Sequence, residues 1–169
     1  TAFPSGITGV PVEVIESVAP IRMRKRELLA DTGGAGKFRG GWGQEMILEV
    51  LTGKPATHSC MYDRTKFSAR GFHGGLDGAP GEVIRSDGYR PHPKSRYTLQ
   101  PGQTVTLRLP GGGGFYSPLE RDPAFVLEDV KQGYVSIEAA REKYGVVIVD
   151  ERVDEEGTKE ERLKMKSSA

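Results

Sequence analysis

A chain of 169 residues is long enough for one sizeable hydrophobic core and too short for two full domains, so a single domain with an appendage is expected: 1–150 as a β-rich domain and 151–169 as a charged tail. Lys and Arg number 24 against 23 Asp and Glu, a formal charge of +1, and no global field draws such a chain to nucleic acid or to an anionic membrane. Cys60 is the only cysteine, which excludes an intrachain disulfide framework and a cysteine-based zinc site.

No run approaches the roughly 18–20 apolar residues that span a bilayer, and Thr1–Val10 lacks the basic-then-apolar order of a signal peptide. The expected setting is therefore reducing and cytoplasmic. The start without Met, with Pro4 and Gly6 close behind, suggests a processed beginning, which simple Met removal would explain equally well.

In chain order, the short apolar segments Val10–Val18, Met46–Leu51, Gly81–Arg85 and Thr104–Leu109 are rich in β-branched residues or alternate with polar ones, and each predicts a strand. In the last of them Val105, Leu107 and Leu109 share one face, the half-buried pattern of an antiparallel or barrel strand. The glycines, 23 in all, cluster at 33–36, 40–41, 74–75 and 111–114, where turns and close backbone packing are expected. After Pro118 the pattern turns helical. Asp122-Pro123 supplies an N-cap and first helical position for a helix to about Lys131, ended by Gly133, and Ser136 to Gly145 bounds a second.

Val146–Val149 predicts a final strand. Beyond Asp150 the chain is dominated by charge, with only Val153, Leu163 and Met165 as sizeable apolar residues, and a solvated tail or a helix docked on a partner is expected. The fold class is thus mainly β (α+β): an antiparallel or barrel-like β domain with glycine-rich loops, two short C-terminal helices and a charged tail.

Two glycine-rich strings are the first candidates for chemistry. In Asp31-Thr32-Gly33-Gly34-Ala35-Gly36-Lys37-Phe38-Arg39-Gly40-Gly41 the Gly-Lys pair invites comparison with a phosphate-binding loop. The comparison fails, because Asp31 stands where the first glycine belongs and Phe38 replaces the magnesium-binding hydroxyl. A tight loop with glycines at positive φ, Asp31 capping backbone amides and Arg39 pairing locally is the plainer reading; contact of Asp31, Gly33, Gly34, Lys37 and Arg39 with a ligand or partner is the functional one. Gly111–Gly114, directly after a strand, offers an anion-binding nest or oxyanion hole through Gly112 and Gly113, with Tyr116 nearby; the alternative is close backbone approach with Phe115 and Tyr116 packed in the core.

His58, His73 and His92 are too irregularly spaced for a metal site. His58 and Cys60 fall on one face of a strand, the arrangement of a Cys–His pair, although neighbours on a strand usually just pack together. Asp63-Arg64 reads as an ion-paired turn in which a substrate carboxylate would compete for Arg64.

The order of these motifs resembles the hydantoinase B/oxoprolinase family. It runs from Pro4 and Pro11-Val12-Glu13 with Glu16, through Asp31–Gly43, Asp63-Arg64, Gly74-Gly75 and Gly111–Pro123, to Asp129-Val130, Gly133, Val135-Ser136 and Tyr144-Gly145-Val146. Two departures stand out: the family often has Asp-Ser-Gly-Gly where Thr32 stands, and Gly-Tyr-Gly-Asp-Pro in place of Gly114-Phe115-Tyr116-Ser117-Pro118.

Family members are much longer, and the match falls on their C-terminal region. The resemblance implies two partners: a hydantoinase A-like subunit that binds ATP with magnesium and phosphorylates the substrate, and the upstream half of the hydantoinase B-like subunit. It implies no cofactor held by this chain itself, with ATP/Mg and room for another divalent metal in the complete complex. No metal ligand and no catalytic residue carries over. The functions that follow are the C-terminal part of an ATP-dependent hydrolase of hydantoin or 5-oxoproline-type cyclic amides, a subunit of an ATP-dependent ketone carboxylase, or a non-catalytic assembly module.

Overall fold

The computed structural model describes residues 9–167, so Pro4, where the motif order begins, lies outside the described residues. Its frame is a four-stranded antiparallel sheet in the order β1-β2-β6-β4, built from β1 (Ile21–Leu28), β2 (Gln44–Val50), β4 (Glu82–Arg85) and β6 (Thr104–Arg108). A separate pair, β3 (Ala56–Ser59) with β5 (Arg96–Leu99), is also antiparallel, and no closed barrel forms among the described residues. The alternation read in the last strand is what buries Val105 and Leu107 together, beside Val50, Val83 and Leu99. Ala56, Tyr62 and Tyr97 lie against this cluster, which brings the β3–β5 pair onto the sheet.

Register decides where the connections go. Leu28 pairs with Gln44, Glu45 with Arg108 and Glu82 with Arg108, so β1 leaves, β2 enters, β4 enters and β6 leaves the sheet at one end. The chain segments 29–43, 60–81 and 109–117 therefore converge there. At that end Glu45 is buried between Arg108 Nε (2.7 Å) and Lys25 Nζ (2.9 Å), and these cations hold its carboxyl below the usual carboxylate range.

The expected strand at 10–18 is instead a helix, α1 (Val12–Val18), with no buried residue. Glu16 accepts a hydrogen bond from the Met23 amide at 2.7 Å, and the helix ends where Ala19, preceding Pro20, is forced extended. Beyond residue 118 the caps behave as their residue types dictate. Asp122 accepts from the Ala124 amide at the start of α2 (Pro123–Lys131), Ser136 from the Ala139 amide at the start of α3 (Ile137–Tyr144), and Gly145 closes α3 at φ 62°. Val126, Val135, Ala139, Ala140, Tyr144 and Val146 form a second core, to which Ala35 from the first glycine string belongs. Burial there pushes the Tyr144 hydroxyl up to about 12.

The expected final strand is shorter than 146–149: β7 (Ile148–Val149) pairs with β8 (Arg152–Val153) in a hairpin turned by Asp150 and Glu151 at positive φ. The segment expected as a charged tail folds as α4 (Glu155–Ser167) against the chain's own α3 end. Little apolar area is involved: Thr158 Oγ1 accepts from the Val147 amide (3.0 Å), while Arg162 donates to the carbonyls of Tyr144 (3.1 Å) and Arg121 (2.7 Å). No helix among the described residues is long and apolar enough to cross a membrane.

Candidate functional site

The three segments gathered at the sheet end interleave their backbones into a layer in which glycine stands in for side-chain packing. Gly34 donates to Gly112 O (2.8 Å), Gly112 to Gly41 O (2.8 Å), Gly114 to Leu76 O (2.9 Å), Leu76 to Ala35 O (2.7 Å) and Gly78 to Ala69 O (2.9 Å). The layer leaves no room for a Cβ at its centre: one on Gly34 would lie 2.1 Å from Leu76 O, and one on Gly113 2.0 Å from Arg70 O. This corrects the expectation of glycines at positive φ in 31–41. The left-handed residue there is Asp31 (φ 60°), and the glycines serve close approach instead.

At 111–114, where an anion nest was expected, the amides of Gly111, Gly112 and Gly114 donate to backbone carbonyls within the layer. Among the described residues no group of three or more His, Cys, Asp or Glu is arranged to hold a metal.

Asp31 does cap backbone, though at a distance of 105 residues: its Oδ1 accepts from the Ser136 amide at 2.8 Å. Thr32 Oγ1 donates to Leu29 O (2.6 Å) and accepts from the Gly43 amide (2.8 Å), a role the serine common in the family would also fill. Arg39 pairs with the buried Asp129 (Nε to Oδ2, 2.9 Å) and lies over the Trp42 ring at 3.8 Å, which is itself stacked on Tyr134. Arg121 reaches the same Asp129 oxygen at 2.9 Å and the Lys37 carbonyl at 3.0 Å, joining the glycine layer to α2. Lys37 Nζ is exposed, 3.4 Å from Glu120. Asp129 and Arg121 entered the sequence analysis only as part of the family motif and not as site residues, since a pairing across 90 residues leaves no local signature.

Arg64 is exposed at φ 57°, and Asp63, expected to pair with it in a turn, pairs with Lys94 Nζ at 2.5 Å instead. His58 and Cys60 are bridged by tyrosines. Tyr97 Oη lies 2.5 Å from His58 Nδ1 and Tyr62 Oη 3.0 Å from Nε2. Burial pushes the Cys60 thiol up and the His58 imidazole down, the opposite of what a thiolate–imidazolium pair needs, so this pair is packing rather than an activated nucleophile.

Phe115 and Tyr116, offered above as core residues, are instead on the surface. Phe115 bridges to Phe38 and to Phe72, and the rings of Phe38, Phe72, His73, Phe115 and Tyr116 form one aromatic face on the glycine layer. His73 (φ 50°) and Tyr116 (φ 59°) hold left-handed backbone conformations to present their rings. Tyr116 occupies the position where the family often has glycine, the residue for which that conformation carries no steric cost.

A sheet whose connections close into a glycine layer, with a helical cap at its side, is a module recurring within large ATP-dependent enzymes. The hydantoinase B/oxoprolinase family model matches residues 1–118, and the chain belongs to that family. It is 40% identical over 159 residues to an uncharacterized protein, MJ0963, of Methanocaldococcus jannaschii, covering 90% of this chain and 28% of that protein. It is 37% identical over 159 residues to the B-type subunit of a putative D-/L-hydantoinase from a Pseudomonas species, covering 90% of this chain and 26% of that one. Among solved structures, the ATP-dependent caprolactamase of Pseudomonas jessenii superposes at TM-score 0.74 with 34% identity over 90% of this chain and 28% of its own. Nucleotide-free acetone carboxylase superposes at TM-score 0.81 with 26% identity over 98% of this chain and 27% of its own. The chain thus spans less than a third of the length of these relatives.

Proposed function

We propose that this chain is the C-terminal module of an ATP-dependent hydrolase that opens a cyclic amide of the hydantoin or 5-oxoproline type, working with a hydantoinase A-like ATP-binding subunit and the upstream half of a hydantoinase B-like subunit in the cytoplasm. The observation that carries this reading is the match, across 90% of this chain, to a hydantoinase B-type subunit at 37% identity. An amide carbonyl is a poor electrophile; transfer of the ATP γ-phosphoryl group to its oxygen opens the carbon to water, the tetrahedral adduct expels the protonated ring nitrogen as the C–N bond breaks, and hydrolysis of the resulting acyl phosphate releases carboxylate and phosphate. ATP/Mg supplies that activation in the partner. This chain contributes a rigid backbone layer that holds Lys37, Arg39 and the aromatic face in fixed positions beside the composite site.

Reconstitution tests this. The three polypeptides together should release ADP in step with ring opening of hydantoin or 5-oxoproline, and omission of this chain should abolish both. ADP release coupled to ring opening without this chain would end the proposal. A second reading, the corresponding part of a ketone carboxylase, is favoured by the superposition on acetone carboxylase over 98% of this chain. Bicarbonate-dependent consumption of acetone, with no ring opening, would select it.

A further inference from the structure

The aromatic face has a construction unlike the scattered apolar residues elsewhere on the surface. Each segment of the glycine layer contributes to it, and residue-to-residue bridges from Phe115 to Phe38 and Phe72 fix the spacing of the rings. Phe72 and Phe115 stack at 6.1 Å and 10°, and His73 and Tyr116 at 5.5 Å and 18°. Yet Phe38 is 58% exposed, Phe72 63%, Phe115 37% and Tyr116 40%, which leaves roughly 400 Å² of aromatic surface facing outward. Rigid rings on a rigid backbone lose little entropy when covered, which is what an interface centre requires.

We propose that this face is the seat of the larger, upstream portion of a hydantoinase B-type subunit, an assignment that rests on the partnership proposed above. Length argues for that occupant. In the two solved relatives this fold is 28% and 27% of the chain, so the greater part of the same chain lies outside it, tethered to it and at hand to cover the face. All five rings fall within residues 1–118, the stretch that defines the family. Beside the face Lys37 adjoins Phe38 and is matched by Glu120 at 3.4 Å, whereas Arg70, two positions before Phe72, is exposed with no ion-pair partner among the described residues. The occupant therefore presents apolar side chains at its centre and a carboxylate toward Arg70.

The test co-produces this full chain with the part of the Methanocaldococcus jannaschii relative that lies outside its match to this chain; that relative's own matched segment, supplied in trans, is the positive control. Affinity is measured for wild type, Phe72→Ser and Phe38→Ser, and for the distant exposed substitutions Val18→Ser and Leu163→Ser. Phe38 and Phe72 are the most exposed Phe and Tyr rings of the face, so their loss removes little buried area, and melting curves verify the fold of every variant. The expected result is binding by wild type and both distant variants, with a loss of about tenfold or more for each face variant. Undiminished binding by the face variants would overturn the docking face while leaving the partnership standing. Failure of wild type where the relative's own segment succeeds would overturn the partnership and the face with it. A wild-type homodimer in sedimentation, made monomeric by Phe72→Ser, would assign the face to a second copy and end the proposal.

Discussion

The four-stranded sheet and the glycine layer at its end meet along one ladder and are stabilised in opposite ways. In the sheet, Val50, Val83, Leu99, Val105 and Leu107 are buried, and stability comes from removing side-chain surface from water. In the layer the buried positions include Gly34, Gly36, Gly40, Gly78, Gly111 and Gly114, with nothing to bury except backbone. There the carbonyls and amides of one segment saturate those of the next, and the absent Cβ is what allows the approach. The first region tolerates changes of side-chain shape within limits of volume; the second tolerates no side chain at its central glycines. A backbone layer also cannot drift as a side-chain cluster can, which suits it to presenting rings at fixed spacing.

The largest effect should come from adding one carbon to the layer. Gly34→Ala places a Cβ 2.1 Å from Leu76 O and 2.6 Å from the Gly114 amide, and the backbone on both sides would have to part. The expected outcome is a loss of about 3 kcal/mol or more, enough to deplete soluble protein. Gly41→Ala is the internal control: nothing lies within 4 Å of its Cβ and its φ is not left-handed, so denaturant midpoints should show it neutral or stabilised by about 0.5 kcal/mol. Equal midpoints for the two variants would dissolve the distinction between layer and sheet.

Removing carbon from the sheet is the mirror experiment. Leu107→Ala should cost about 3 kcal/mol through lost burial and a cavity, measured by urea unfolding. Asp129→Ala should cost a similar amount, because it strands Arg39 and Arg121 in a site where their side chains are only 22% and 13% exposed. It should also loosen the layer from α2, seen as faster amide exchange at Lys37 and Arg39. A smaller effect, about 1–2 kcal/mol, is expected for Thr158→Val, which leaves the Val147 amide without its acceptor and tests whether α4 is held by polar bonds. An unchanged midpoint would mean that α4 lies on the domain without stabilising it.

These contrasts also explain which parts were legible in the sequence. Helices α2 and α3 were readable because their caps are local: Asp122 and Ser136 each bond an amide two or three residues away. Strand β6 was readable because alternation is local too. Val12–Val18 was misread because β-branched residues are a weak, context-dependent signal for strand, and its side-chain bond, accepted by Glu16 from the Met23 amide, reaches outside the segment. The glycine strings carried the right residues with the wrong geometry. Spacing cannot distinguish a glycine needed for its φ from one needed for its missing Cβ, since the atom it would strike belongs to a segment 40 or 80 residues away. The aromatic face was hidden for the same reason: Phe38, Phe72 and Phe115 look like separate core residues until the layer brings them to one side.

The smallest expected effect separates the two regions by pH. The bonds of the layer's interior are backbone to backbone and carry no titratable group, whereas the sheet side includes His58, held between Tyr97 and Tyr62 with Cys60 close by. Both imidazole nitrogens are engaged with hydroxyls, and burial keeps the folded His58 below its ordinary value. The unfolded chain therefore takes up this proton first as pH falls. The sign follows: the His58 contribution is fully present above the unfolded pKa of about 6.5 and declines as pH drops from there through the lowered folded value. Glu45, whose folded carboxyl is also lowered, acts in a separate window, its contribution present above about 4.3 and lost as pH falls through its folded value. Urea midpoints between pH 8 and pH 5 should decline for wild type and stay flatter for His58→Gln, which cannot titrate. Amide exchange within 33–41 should follow global unfolding alone across this range, while exchange at 57–60 rises earlier. An identical decline in wild type and His58→Gln would remove this histidine from the account.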